Sequence, residues 1–251
     1  MELIPLLLLL TIVIVGAVMQ RITGLGFALV ASPFFVLLLD PVMGVILVNV
    51  CGVIVSGVLT VRSVKHVDWR RWAILVTSAV LGVVPGAFLV YHLAVDWLDI
   101  VVGALIIIGL ISSLLVRSRI DPDHVAPLVT AGIFSGAMNV TAGVGGPPLG
   151  IYGVLTSWDH RSFAATMQPV FFTIGSVSLI TKLTIAPPGA ALYDPYVWIV
   201  LACGCLVGMT AGELIAKRVT NGLARKLLVV LALGGAATVL TRGLLHVLGL
   251  A

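Results

Sequence analysis

Six stretches of this chain stay predominantly apolar for about the length of a bilayer-crossing helix: 41–61, 73–91, 97–116, 160–181, 196–216 and 225–246. A hydrocarbon core needs about 20 apolar residues per helix. None of the stretches shows the alternation over about 10 residues that marks a transmembrane strand. Two further apolar segments, about 4–38 and 125–156, are interrupted midway by glycine and polar residues. The pattern predicts an all-α polytopic membrane protein, a single transmembrane domain over 1–251. Composition agrees, with 60% hydrophobic and 10% charged residues and a mean hydropathy of +1.22.

The interruptions are Gln20-Arg21-Ile22-Thr23-Gly24-Leu25-Gly26 and Asn139-Val140-Thr141-Ala142-Gly143-Val144-Gly145-Gly146-Pro147-Pro148. A shift of 119 residues superimposes Gln20 on Asn139, Gly24 on Gly143, Gly26 on Gly145, Asp40 on Asp159 and Asn49 on Gln168. After a seven-residue insertion around Ile185 to Ala191, a shift of 126 pairs Trp72 with Trp198, Gly82 with Gly208 and Gly86 with Gly212. The chain therefore divides into two homologous halves, about 1–118 and 123–251.

Loop charge orients the halves. Arg62 to Trp72 holds four basic residues, which favour the cytoplasm, whereas its counterpart, Lys182 to Tyr196, is nearly devoid of them. Conversely, Tyr91 to Asp99 has two aspartates and no Lys or Arg, while Lys217 to Lys226 carries Lys217, Arg218, Arg225 and Lys226. Equivalent loops on opposite sides are the signature of inverted repeats. Each half then has three spans and one broken segment that enters and leaves on one side as a re-entrant hairpin. The alternative has eight full spans in two parallel sets of four.

Breaks of this kind free backbone groups that lipid cannot satisfy, so they survive where they face protein or a polar cavity. Segments restarting after Gly26 and after Pro147-Pro148 present helix N-termini, which favour an anion. Proline fits a first helical turn because its missing N–H is not needed there. The candidate anion-binding set is Gln20, Arg21, Thr23, Gly24, Gly26, Asn49, Asn139, Thr141, Gly143, Gly145, Gly146 and Gln168. Arg21 would supply charge through its planar fork, and Asn49 and Gln168 would supply uncharged donors from mid-span. The bland counterpart is that the glycines allow close helix packing, the amides bond between helices and Arg21 is salt-bridged at a helix end.

Other polar residues have local roles. Asp40 and Asp159 precede spans at equivalent positions and are expected to cap them. Glu213 lies inside a span and invites a proton-coupling role, but Lys217, four residues on, offers it a helix-surface partner. Cys51, Cys203 and Cys205 have neither zinc nor C-x-x-C spacing and read as packing residues. Met1 to Val15 lacks a basic n-region and an A-x-A site, so it reads as structure rather than a signal peptide. A net charge of +4 is scattered among short loops, which argues against nucleic acid. No metalloprotease, nucleophile-elbow or Walker motif is present. The expectation is no enzyme, no cofactor and no metal.

Gly24-Leu25-Gly26-Phe27 followed by Pro33, Gly143-Val144-Gly145-Gly146-Pro147-Pro148-Leu149, the Asp159-His160-Arg161 turn and the basic Val67-Asp68-Trp69 loop resemble the TauE/SafE sulfite exporter family. Ala28 departs from that family's pattern, where a second glycine often follows the phenylalanine. The resemblance implies a bacterial or archaeal cytoplasmic (inner) membrane transporter of sulfur-containing anions such as sulfite or organosulfonates. The expected partners are that anion and membrane lipid, and a homodimer is compatible with them. A passive anion channel and a non-transporting sensor or assembly subunit are the alternatives.

Overall fold

The computed structural model describes residues 3–115, 120–121, 124–185, 195–216, 218 and 221–250. Most of the expected insertion near Ile185 to Ala191, Lys217, and the side chain of Arg225 lie outside the described residues. The described chain is all-helical: α1 (Leu3–Thr23), α2 (Gly26–Leu38), α3 (Pro41–Ser63), α4 (Trp69–His92), α5 (Val95–Leu115), α6 (Val125–Ala142), α7 (Gly146–Leu155), α8 (His160–Ile185), α9 (Pro195–Ala216) and α10 (Asn221–Val247), with one short 3-10 turn at Val64–His66. Among them, eight helices are long and apolar enough to cross a membrane.

Both interrupted segments break in the same way. Gly24 (φ +79°) and Gly143 (φ +72°) adopt the left-handed conformation, which glycine tolerates best and which ends helices. Their N–H groups donate to the carbonyls of Gln20 and Asn139, each at 2.8 Å. The chain then turns back into α2, of 13 residues, and α7, of 10 residues with prolines in its first turn. Each segment joins a first arm of span length, α1 or α6, to a short second arm.

The expected caps are present. Asp40 accepts from the N–H groups of Val42 and Met43 at 2.9 Å, and Asp159 accepts from that of Ser162 at 2.9 Å. Helix α8 runs further than the apolar pattern suggested. Nothing breaks the sequence before Pro187, so Lys182 belongs to the helix rather than to a loop. It is buried, at 1% exposure, in the field of the Asp40 carboxylate.

Glycine stripes set the helix pairing. On α4, a Cβ at Gly82 would overlap the Ile133 carbonyl oxygen of α6, and one at Gly86 would sit 2.8 Å from the Ala137 oxygen and overlap Val140. On α9, Gly208 would meet the Ile14 oxygen of α1 at 2.6 Å, and Gly212 would meet Val18 and Arg21 at 3.1 and 2.9 Å. Ile14, Val18 and Arg21 stand 119 residues before Ile133, Ala137 and Val140. Glycines 126 residues apart in sequence thus seat α4 alongside α6 and α9 alongside α1, each pair in parallel. By contrast α3 and α8 run antiparallel: Gly57 faces Phe172, and Gly175 faces Val53. Helices α5 and α10 are also antiparallel, with Gly103 against Ala236 and Gly243 against Asp99.

Close backbone approach supplies dispersion contacts where lipid offers no hydrophobic drive for association. Gly82→Ala is expected to cost about 1–3 kcal/mol through overpacking, and Gly234→Ala, where nothing lies within 4 Å, to be near neutral. Thermal unfolding in detergent measures both. Equal midpoints would mean that α4 and α6 are not held by this contact.

Candidate functional site

The two breaks come together in the interior. A Cβ at Gly146, which opens α7, would lie 3.7 Å from the carbonyl oxygen of Leu25 at the first break. Beside this contact is a cavity of about 30 Å³ lined by Gln20, Asn49, Ser56, Asn139, Gly143 and Gly145, among others. That volume exceeds the about 10–15 Å³ that a single water requires. A second cavity of about 570 Å³ lies on the other side of Leu25 and Gly146, and these two residues line both spaces. The larger space is walled by Thr23, Pro147, Trp158, His160 and Phe163 and forms a mostly apolar vestibule.

Polar atoms around the small cavity are only partly satisfied. Gln20 is committed: its Nε2 donates to Gln168 Oε1 at 3.0 Å, and its Oε1 accepts from the Phe27 N–H at 3.0 Å. Gln168 in turn donates to the carbonyls of Ala164 and Gly24, at 2.9 and 3.3 Å. Together they hold the first break rigid and cap the start of α2. On the second break Ser135 donates to the Gly145 carbonyl at 2.7 Å, and Ser32 of α2 donates to the Ala142 carbonyl. Asn139 Nδ2 donates to the Gly143 carbonyl at 3.4 Å. Left over are Asn49 Nδ2 and Asn139 Oδ1, both buried without a hydrogen-bond partner. An unmade hydrogen bond in a buried site costs about 1–3 kcal/mol, and here one donor and one acceptor at one cavity are left for a water or a ligand.

Of the residues singled out from sequence, Gln20, Asn49, Asn139, Gly143, Gly145 and Gly146 line the cavity. Gln168 supports it through Gln20. Gly24 makes the turn, and Gly26 allows α2 to start beside Met19, where a Cβ would come within 2.8 Å. Thr23 lines the vestibule and its hydroxyl donates to the Met19 carbonyl. Thr141 is spent within its own helix, on the carbonyls of Ala137 and Met138.

Arg21 is not brought to the cavity. Successive helical residues point about 100° apart, so with Gln20 turned inward, Arg21 faces α9. There its Nη2 lies 3.5 Å from Glu213 Oε1, while Glu213 Oε2 meets Arg62 at 3.0 Å. Glu213 is therefore the centre of a half-exposed cluster with two arginines. Arg21→Ala is expected to leave anion affinity nearly unchanged, because its guanidinium lies against Glu213 and not in the cavity, and to cost about 0–1 kcal/mol of stability, as exposed pairs do. A large loss in a binding assay would return Arg21 to the site.

Sequence reading missed Ser56, Gly52 and Gly175 in the cavity wall. Asn49, Gly52 and Ser56 recur at the spacing of one helix face, a signal that was available.

Comparison with curated proteins and with solved structures returns no match. The family model described as Sulfite exporter TauE/SafE matches residues 8–239, which takes in both breaks and every residue of the cavity. The chain thus belongs to the TauE/SafE sulfite exporter family.

Proposed function

We propose that the protein is a secondary transporter for a small sulfur-containing oxyanion, sulfite or an organosulfonate, bound between the two glycine breaks in a bacterial or archaeal cytoplasmic membrane. The observation that carries this reading is the convergence of both breaks on one buried cavity that holds two unpartnered amide atoms. Family membership supplies the cargo class. The positive ends of the α2 and α7 dipoles and the unpartnered Asn49 Nδ2 suit such a cargo.

Movement follows from the halves. We infer that they form inverted repeats. Counterparts α3 and α8, and α5 and α10, pack antiparallel, as a twofold axis lying in the membrane plane requires. A parallel repeat would set counterparts in the same direction. Alternating access then arises when the halves exchange conformations around the fixed site.

The test is flux of labelled sulfite in proteoliposomes with taurine, sulfoacetate, sulfate and thiosulfate as competitors and proton gradients of either sign. Saturable flux blocked by one competitor is expected. Flux that never saturates and ignores gradients would make the protein a channel. No flux under any gradient would favour a sensor or assembly role.

A further inference from the structure

The cavity wall carries no charged side chain. Helices α2, α6 and α7 contain none along their whole length. The charges on the other lining helices are engaged or remote: Arg21 of α1 and Arg62 of α3 meet Glu213 of α9, and Lys182 of α8 lies by Asp40, the cap of α3. His160 and Arg161 occupy the first turn of α8, where His160 lines the vestibule rather than the cavity. Any anion held here must therefore be stabilised by dipoles alone.

Dipoles set a limit on how much charge can be held. A helix N-terminus carries about half an elementary positive charge, so the starts of α2 and α7 together offset about one negative charge. The cost of burying an ion grows with the square of its charge, so a dianion would lose about four times the hydration of a monoanion of equal size. Asn139 adds a second constraint. Its Nδ2 is turned to the Gly143 carbonyl, which leaves Oδ1 as an unpartnered buried acceptor. An oxyanion oxygen would be repelled by that atom, whereas an O–H or S–H on the anion would bond to it. Asn49 Nδ2 offers the complementary donor.

We propose that the cavity takes its oxyanion as the singly charged, proton-bearing form, so that hydrogensulfite rather than sulfite is the bound species and sulfate is excluded by charge. This rests on the reading of the cavity as the transport site. Protonation of the cargo, and not titration of a side chain, then gives the protein its pH response. Each turnover also carries a proton with the anion, without a protein group to relay it.

Equilibrium binding to the purified full chain tests the proposal, with sulfite, methanesulfonate and sulfate as probes across a pH series. Total sulfite should bind more weakly by tenfold per pH unit on the alkaline side of the hydrogensulfite ionisation. Methanesulfonate is singly charged at every pH and has no proton to give. It should bind independently of pH and more weakly than hydrogensulfite, and Asn139→Ala should narrow that difference. Sulfate should not compete. Sulfite affinity that is flat or rises with pH, sulfate competing as well as methanesulfonate, or dianion binding that requires sodium would each overturn the proposal while leaving the transport site in place. No binding of any sulfur oxyanion at any pH would overturn the transport site as well. Wild-type protein decides all of these outcomes, whether or not the Asn139 variant folds.

Discussion

Asn49→Asp is expected to abolish oxyanion binding, and Asn49→Leu to weaken it by about 10- to 150-fold. The second figure corresponds to the about 1.5–3 kcal/mol of a hydrogen bond to a charged group, at a factor of ten per 1.4 kcal/mol. Asn49 is 3% exposed and its Nδ2 has no protein partner, so little of the effect should come from internal bonds lost in the unliganded protein. Leucine removes the donor and keeps the bulk. Aspartate keeps the shape and turns attraction into repulsion. Binding measured on protein whose unfolding midpoint matches that of the wild type gives the comparison. Unchanged affinity in Asn49→Leu would mean that the anion does not reach this cavity.

Asp99→Ala is expected to lower stability by about 3–5 kcal/mol, the cost of removing one partner from a buried ion pair. Arg242 of α10 grips Asp99 with both arms of its fork, Nε to Oδ2 at 2.8 Å and Nη2 to Oδ1 at 2.9 Å. The same guanidinium donates to the Leu37 and Val36 carbonyls, at 3.0 and 2.9 Å. It thereby closes the C-terminal end of α2, where carbonyls have no partner within the helix. Three elements, α2, α5 and α10, meet in this one cluster. The double change Asp99→Leu with Arg242→Met should recover much of the loss, because it removes the orphaned charge. Thermal unfolding in detergent reads both effects. A single variant as stable as the wild type would show that water reaches Arg242, whose side chain is 27% exposed, well enough to replace the carboxylate.

Helix boundaries were legible in the sequence to within a few residues because span length and apolar character are set by the bilayer itself. The glycine matches were legible too: Gly82 with Gly208 and Gly86 with Gly212 occupy equivalent contacts. The direction in which a residue beside a break faces was not. Gln20 and Arg21 are neighbours in sequence, and only the helical phase of α1 decides which one enters the cavity. Charge suggested Arg21, and phase selects Gln20. Gln168 was singled out as a ligand but braces Gln20, a distinction that depends on a partner 148 residues away. Lys182 looked like loop because lysine is rare in membrane helices, yet the helix continues around it.

The partition formed by Leu25 and Gly146 has a counterpart at the other break. Advancing Leu25 by 119 residues reaches Val144, and moving Gly146 back by the same step reaches Phe27. One wall of the cavity is therefore a single leucine opposite a residue without a side chain. Of Val144 and Phe27, Phe27 lines the cavity at 2% exposure, its ring packed 3.0 Å from the Cβ position of Gly16. Because Gly146 has no side chain, turning the Leu25 side chain alone would join the cavity to the vestibule. A path past Phe27 would have to uproot an aromatic ring from the core, so the cavity is more readily reached from the vestibule.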